Sequence, residues 1–141
     1  MSMNTVPERL AALRAAMAAN GVAVYLIPVG DPHASEYLPC HYTSLTWFSG
    51  FHGENSNFVV TRTESALWAD GRYFVQAEKE IAGTEIKLQR MGEPGVPTVE
   101  EYCANALNEG EALGLCGLTA STALVNGLKK ALEKKGASIK T

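Results

Sequence analysis

The chain has 141 residues, of which 46% are hydrophobic and 19% charged, an ordinary globular composition that suits one domain. Its formal net charge of −3 and the lack of a clustered basic run argue against nucleic acid as the main partner. The sequence contains neither an apolar run of roughly 20 residues, as a membrane span needs, nor a secretory signal. Its three cysteines match no zinc spacing, so we expect a cytoplasmic protein with reduced thiols. Because no apolar run is long enough to span a bilayer, we expect no membrane partner.

Capping signals and apolar runs divide the chain into alternating helices and strands. A Thr-x-x-Glu capping box opens the first helix at residues 5–8, and an Asn-Gly pair ends it at 20–21. The later predicted helices cover residues 71–82, 98–107 and 121–135, and the predicted strands cover 22–27, 58–61, 65–68, 85–90, 113–116 and 138–140. This alternation predicts an α/β fold, a single domain with a central mixed β-sheet flanked by helices.

The most informative segment covers residues 66–77, where an apolar strand stops at an Asp-Gly turn and a helical pattern follows. Gly71 permits the turn, and Asp70 is placed to cap the new helix. Arg72 is therefore held where a strand becomes a helix, at the kind of sheet edge where α/β proteins place ligands. Its fork suits a carboxylate or a peptide carbonyl. The alternative is a structural arginine paired with Asp70 or with a helix end.

Three segments carry a family resemblance when they are taken in chain order. Residues 27–37 begin Ile-Pro-Val-Gly-Asp-Pro-His, residues 47–53 are Trp-Phe-Ser-Gly-Phe-His-Gly, and residues 67–77 begin Leu-Trp-Ala-Asp-Gly-Arg-Tyr. Together they resemble the N-terminal domain of the creatinase/prolidase-type metallopeptidases, closest to the X-Pro aminopeptidases (aminopeptidase P). The resemblance implies that residues 1–141 form one creatinase-type N-terminal domain with a ribonuclease-H-like fold.

The resemblance also implies that catalysis belongs to another domain. Enzymes of this family hydrolyse the bond before proline with two metal ions, held by two aspartates, a histidine and two glutamates of a C-terminal catalytic domain. We expect that domain to be absent from this chain, so that the fragment alone is inactive and has no catalytic residue, metal ligand or cofactor. In the parent enzyme we expect a divalent metal, manganese first and zinc as the alternative.

Two substrate-binding residues are expected. In the resembling aminopeptidases the arginine of the Asp-Gly-Arg-Tyr motif contacts bound peptide, and the matching residue here is Arg72. His33 is expected beside the substrate cleft, because loop residues often line such sites. The expected partners are a peptide substrate, reached through the missing catalytic domain, and further copies of the parent chain in a homo-oligomer.

The loop around His33 has a second interpretation. Asp31, His33 and Glu36, with Cys40 and His41 nearby, could be taken for a metal site. Nothing in their spacing fixes four ligands in one geometry. We therefore favour a turn that Asp31 begins and in which His33 caps or hydrogen-bonds the loop.

The aromatic residues of the second motif have two interpretations. Phe48 and Phe51 suit a buried core, because aromatic side chains bury large areas. With Trp47 they could instead line a domain or dimer interface, where aromatic residues are enriched. After this motif the family usually has Gly-Ser-Ala-Gly, whereas this chain has Gly-Glu-Asn-Ser at residues 53–56.

Three functions remain open on the sequence. The leading hypothesis is a non-catalytic domain of an X-Pro aminopeptidase-like enzyme that positions peptide and forms an oligomer surface. The second is a standalone interaction or regulatory domain without peptidase activity. The third is a nuclease, which would need several carboxylates converging on metal. Only Asp70 and Asp31 lie near predicted strand ends, so a shared fold would not imply that activity.

Overall fold

The computed structural model describes residues 5–28, 48–51, 56–115 and 122–140. Helices and strands alternate in these residues as the sequence predicts. The helices are α1 (Val6–Ala19), α2 (Phe74–Glu80, preceded by a 3-10 turn over Gly71–Tyr73), α3 (Val99–Ala106) and α4 (Thr122–Glu133). The strands are β1 (Val24–Pro28), β2 (Asn57–Thr61), β3 (Ser65–Ala69), β4 (Lys87–Arg90), β5 (Ala112–Gly114) and β6 (Ser138–Lys140). Within the described ranges, no helix has the length and apolar character to cross a membrane.

Local capping signals start and stop the helices as predicted. The Thr5 hydroxyl accepts a hydrogen bond from the backbone N–H of Glu8 at 3.4 Å, and Thr98 does the same for Glu101 at 3.2 Å. Such caps satisfy N–H groups that have no partner inside the helix. α1 ends before Gly21, which takes a φ of 70°, a conformation that glycine adopts without steric cost. The sequence therefore predicts these boundaries correctly.

The six strands form one mixed sheet in the order β4-β3-β2-β1-β5-β6. The β1–β2 and β2–β3 pairs are antiparallel, whereas β3–β4, β1–β5 and β5–β6 are parallel. The mixed sheet and the hairpin between β2 and β3 are thus confirmed. Five strands end at the same edge of the sheet, where β2 begins. We call this the carboxyl edge.

Helices cover both faces of the sheet. Neighbouring residues of a strand point to opposite faces, so Leu67 and Trp68 of β3 belong to two different cores. The core under α1 and α2 contains Leu10, Met17, Ile27, Phe51, Phe58, Val60, Leu67 and Ile81. The core under α3 and α4 contains Leu26, Val59, Trp68, Val99, Cys103, Leu107, Leu113, Leu128 and Leu132.

The aromatic residues of the second motif belong to the first of these cores. Phe51 is fully buried, and Phe48 packs against the same cluster while partly exposed. The core interpretation is therefore confirmed for Phe51, and Trp47 lies outside the described residues. Cys103 is buried in the other core, where burial raises the pKa of its thiol, as expected for an unreactive cysteine.

An arginine–carboxylate pair ties α1 to the sheet. The Arg14 guanidinium donates to both Glu85 oxygens, at 2.7 and 2.6 Å, and its Nε donates to the Thr61 carbonyl at 2.9 Å. Ser65 also donates to Glu85, at 3.2 Å. The hydrogen bonds from Arg14 hold the pKa of the Glu85 carboxyl below its usual value, despite the opposing effect of burial.

A second cluster ties the β2–β3 hairpin to β4 and α3. Lys87 donates to Glu64 at 2.6 Å, and the Tyr102 hydroxyl donates to the other Glu64 oxygen. The hydrogen bonds from Lys87 and Tyr102 lower the pKa of Glu64. Burial and the neighbouring Glu64 raise the pKa of Tyr102, so its hydroxyl keeps its proton.

Candidate functional site

Asp70 directly follows β3 at the carboxyl edge and holds Arg72 in two ways. Its Oδ1 accepts a hydrogen bond from the Arg72 backbone N–H at 3.0 Å, so Asp70 caps the 3-10 turn as predicted. Its two oxygens also accept from the guanidinium, Oδ1 from Nε at 3.4 Å and Oδ2 from Nη2 at 2.9 Å. Arg72 is therefore paired with Asp70, as the structural interpretation expects. The same contact fixes the direction of its guanidinium.

The Tyr73 ring also contacts the Arg72 guanidinium, and the ring is itself held by a second aromatic contact. The Arg72 Cζ lies 5.4 Å from the centre of the Tyr73 ring, within the range of a cation–π contact. The Tyr73 ring in turn meets Phe51 edge to face, with 6.0 Å between the ring centres. Although it is held on both sides, the Arg72 side chain is 68% exposed, whereas that of Asp70 is 19% exposed. The guanidinium is thus positioned by the fold and largely exposed.

A similar arrangement lies one strand away. Arg90 is the last residue of β4 and stands in register with Ala69, the last residue of β3. Arg90 forms an ion pair with Glu78 of α2, and its Cζ lies 5.5 Å from the centre of the Phe74 ring. Sequence reasoning missed this second arginine. Its one signal in the sequence was its place at the end of the predicted strand over residues 85–90, and the parallel pairing of β4 with β3 brings that end to the edge of Asp70.

A groove of about 430 Å³ opens beside the carboxyl edge. Trp68 forms part of its wall, and the Trp68 Nε1 donates to the Pro97 carbonyl at 3.0 Å. The groove thus lies between the ends of two central strands and the start of α3, with mostly apolar walls. Its lining residues are Asn57, Trp68, Met91, Gly92, Glu93, Val96, Pro97, Thr98, Val99, Glu100 and Leu124.

The described ranges contain no group of three or more His, Cys, Asp or Glu side chains that could hold a metal ion. A dinuclear centre, or the carboxylate cluster of a nuclease, would need several such side chains to converge. Asp31, His33, Glu36, Cys40 and His41 all lie outside the described residues. The metal interpretation of that loop, and the expected place of His33 beside the cleft, stay predictions.

Comparison with a family model and with curated sequences gives consistent matches. Residues 9–140 match the model of the Creatinase/Prolidase N-terminal domain. Aminopeptidase P2 of Arabidopsis thaliana is 39% identical over 132 residues, which cover 92% of this chain and 18% of that protein. The chain spans about a fifth of the length of the curated relatives it matches.

Solved structures share the fold. The X-prolyl aminopeptidase of Caenorhabditis elegans, described as a cytosolic enzyme with a di-nuclear active site, matches with a TM-score of 0.87 and 32% identity. That match covers 97% of this chain and 24% of the other. The N-terminal domain of the cytoplasmic peptidase PepQ from Mycobacterium tuberculosis H37Rv matches with a TM-score of 0.65 and 26% identity, covering 94% of this chain and 90% of that one.

Proposed function

Because the chain belongs to the Creatinase/Prolidase N-terminal domain family, we propose that it is the non-catalytic N-terminal domain of an X-Pro aminopeptidase-like metallopeptidase. The family expected from the three motifs is confirmed by the match over residues 9–140. The catalytic domain of the proposed enzyme lies outside these 141 residues. The support for this is that the curated relatives are about five times longer than the chain.

The observation that carries the proposal is the placement of Arg72. Its guanidinium lies at the carboxyl edge of the sheet, is held by Asp70 and Tyr73, and remains largely exposed. Ligands of α/β proteins commonly bind at this edge. A guanidinium held in this way can donate to an oxygen of bound peptide without the cost of ordering a free side chain. We propose that Arg72 positions peptide substrate for the catalytic domain.

We keep His33 as a second substrate contact. His33 lies outside the described residues, and β1, which precedes it in the chain, ends at the carboxyl edge. A His33→Ala variant measured beside the Arg72 variants tests this proposed contact.

The metal and the assembly belong to the longer protein in this proposal. The C. elegans relative is described as having a di-nuclear active site, whereas the described residues here contain no group of three or more His, Cys, Asp or Glu side chains that could hold a metal ion. A divalent metal, manganese or zinc, would be held by the catalytic domain, and no contribution of this domain depends on it. We also propose a cytosolic location, as described for that relative, and a homo-oligomer.

The first test compares X-Pro peptide hydrolysis, with manganese present, by the 141-residue chain and by the longer protein that contains it. We expect only the longer protein to cleave. In that protein, Arg72→Ala should lower kcat/KM by about tenfold or more, because a charged hydrogen bond to the substrate is lost. Arg72→Lys should recover part of it, since lysine keeps the charge without the fork.

The matched control is Arg62→Ala. Arg62 is also 68% exposed and also paired with a carboxylate, Glu111, but it follows β2 at the opposite edge of the sheet. Normal kcat/KM in a folded Arg72→Ala protein would remove Arg72 from the site. If neither the chain nor the longer protein cleaves X-Pro peptides, the standalone interaction or regulatory domain becomes the better hypothesis.

A further inference from the structure

The groove at the carboxyl edge has walls that the fold already holds in place. Its volume of about 430 Å³ falls in the range of small-ligand pockets, roughly 300–1,000 Å³. Trp68, in its wall, is almost fully buried and meets the Tyr102 ring edge to face, with 5.0 Å between the ring centres. The Pro97 carbonyl, also in the wall, accepts from the Trp68 indole. A ligand would therefore bind without the cost of ordering these residues.

Two carboxylates that line this groove have no partner. Glu93 lies in the turn between β4 and α3 and is exposed, and Glu100 lies in the first turn of α3 and is partly buried. Within the described part of the chain, neither side chain forms a hydrogen bond or an ion pair. By contrast, three other glutamates that contact the sheet or α2 each pair with a lysine or an arginine: Glu64, Glu78 and Glu85.

The charge of the groove is not balanced from within. No lysine, arginine or histidine occurs among the described residues that line it. The N-terminal end of α3 offsets only part of the two negative charges, because a helix end carries about half of one positive charge. Low-dielectric walls around charges of one sign strengthen their field. The groove therefore suits a positive charge carried on an apolar stem, which can pack against Met91 and Val96.

We propose that this groove binds a lysine or arginine side chain of the peptide substrate, downstream of the bond that is cleaved. The inference rests on the proposed function, in which Arg72 marks the path of the peptide. Trp68 and Arg72 are four residues apart, so their Cα atoms lie within about 14 Å of each other. An extended peptide covers that distance in about four residues. A six-residue X-Pro peptide in contact with Arg72 is thus long enough to place a later residue in the groove.

The test compares lysine with norleucine, which has a similar apolar stem and no charge. In the longer protein, kcat/KM is measured for six-residue X-Pro peptides with amidated C-termini, in which lysine or norleucine occupies each of positions three to six in turn. At one of these positions lysine should be preferred about threefold or more, mainly through a lower KM. The preference should shrink as salt is added, because the attraction is electrostatic.

The groove carboxylates are then removed without changing their shape. Glu93→Gln combined with Glu100→Gln should abolish the lysine preference and leave kcat/KM for the norleucine peptide nearly unchanged. Glu100→Gln alone should weaken the preference. The matched control is Glu101→Gln, which removes one negative charge from the same turn of α3. Glu101 is exposed and does not line the groove, so this control should keep the preference.

Binding is also measured without catalysis, in the 141-residue chain. The Trp68 indole N–H donates to the Pro97 carbonyl in the groove wall, so its nuclear magnetic resonance signal should move when the preferred lysine peptide is added at millimolar concentration. The norleucine peptide should move it much less. The chain has two tryptophans, and a Trp47→Phe variant identifies the signal of Trp68.

Several results would overturn the inference. These are the lack of a lysine preference at every position, a preference that survives the paired variant, and one that falls equally in Glu101→Gln. An unmoved Trp68 signal, or equal movement with both peptides, would do the same. If the signal moves but the longer protein shows no lysine preference, another part of that protein covers the groove, and the inference also fails. The proposed function fails separately, namely if Arg72→Ala leaves hydrolysis of every peptide unchanged.

Discussion

Two buried serines differ in whether their hydroxyl group has a hydrogen-bond partner. Ser49 is fully buried, and its Oγ accepts a hydrogen bond from the Phe51 backbone N–H at 3.1 Å. Ser56 is 3% exposed, and its Oγ has no hydrogen-bond partner in the described part of the chain. Ser56 stands where the resembling family usually has glycine. A buried hydroxyl without a partner costs free energy of folding.

We expect Ser56→Ala to raise the free energy of unfolding by about 1 kcal/mol, because it removes the unpaired hydroxyl and keeps the volume nearly unchanged. Ser49→Ala should lower it by a similar amount, since the Phe51 N–H loses its partner. Urea unfolding of the 141-residue chain measures both. A loss of stability in Ser56→Ala would mean that its hydroxyl is satisfied in solution.

At the same scale, the sequence predicts the Asp70 cap and the position of Arg72 after it, but not the position of Arg90 at the same edge. The Asp-Gly turn, the cap and the following arginine are adjacent in the chain, so local turn chemistry is enough to place them. Arg90 reaches this edge only because β4 pairs with β3 in a particular register. That register depends on residues distant in sequence, which local patterns do not encode.

At the scale of elements, the predicted helices and strands are all present in the described residues, with displaced ends. The helix predicted over 71–82 begins as a 3-10 turn and ends at Glu80. The strand predicted at 113–116 is instead Ala112–Gly114. Strand ends depend on how far the neighbouring strands extend, and β5 pairs with β1 and β6 over a few residues only. The capped helix starts are local features and were predicted closely.

Two carboxylates that link elements of the fold, Glu85 and Glu64, should make the protein less stable in acid. Glu85 and Glu64 have pKa values lowered by folding. Their contribution is therefore complete above the unfolded pKa of about 4.5 and is lost as the pH falls below it through the folded values. We expect the midpoint of thermal unfolding to drop as the pH falls below about 4.5.

Glu85→Gln should make this acid drop shallower and lower stability at pH 7 by about 1 kcal/mol or less, because the pair with Arg14 is partly exposed. Glu133→Gln on α4, which is exposed, serves as the control. Differential scanning calorimetry from pH 3 to pH 7 measures both. An acid drop of the same size in Glu85→Gln would contradict the assignment to this carboxylate.

For the whole molecule, one sheet joins two cores. β1 contributes Leu26 to the core under α3 and α4 and Ile27 to the core under α1 and α2. If the helices left one face, the exposed strands would be the same strands that contribute side chains to the core on the other face. The PepQ N-terminal domain from M. tuberculosis, a chain of similar extent, was solved as a separate domain. Both facts favour folding as one unit.

We expect the 141-residue chain to unfold in one cooperative transition. Leu10→Ala on one face and Leu128→Ala on the other should each lower the free energy of unfolding by about 2–5 kcal/mol, since both side chains are fully buried. Circular dichroism and tryptophan fluorescence should give the same midpoint for each variant. Separate midpoints, or a variant that affects only one signal, would show that the two faces unfold independently.

The outer strands of the sheet affect whether copies of the domain aggregate in concentrated solution. β4 carries Lys87 and Arg90, and β6 has only three residues and ends in Lys140. Short outer strands with charged side chains resist pairing with the outer strand of another sheet. The backbone groups at these two borders are thereby kept from acting as templates for fibrils. The isolated 141-residue chain should stay dispersed at the millimolar concentrations that would suit nuclear magnetic resonance.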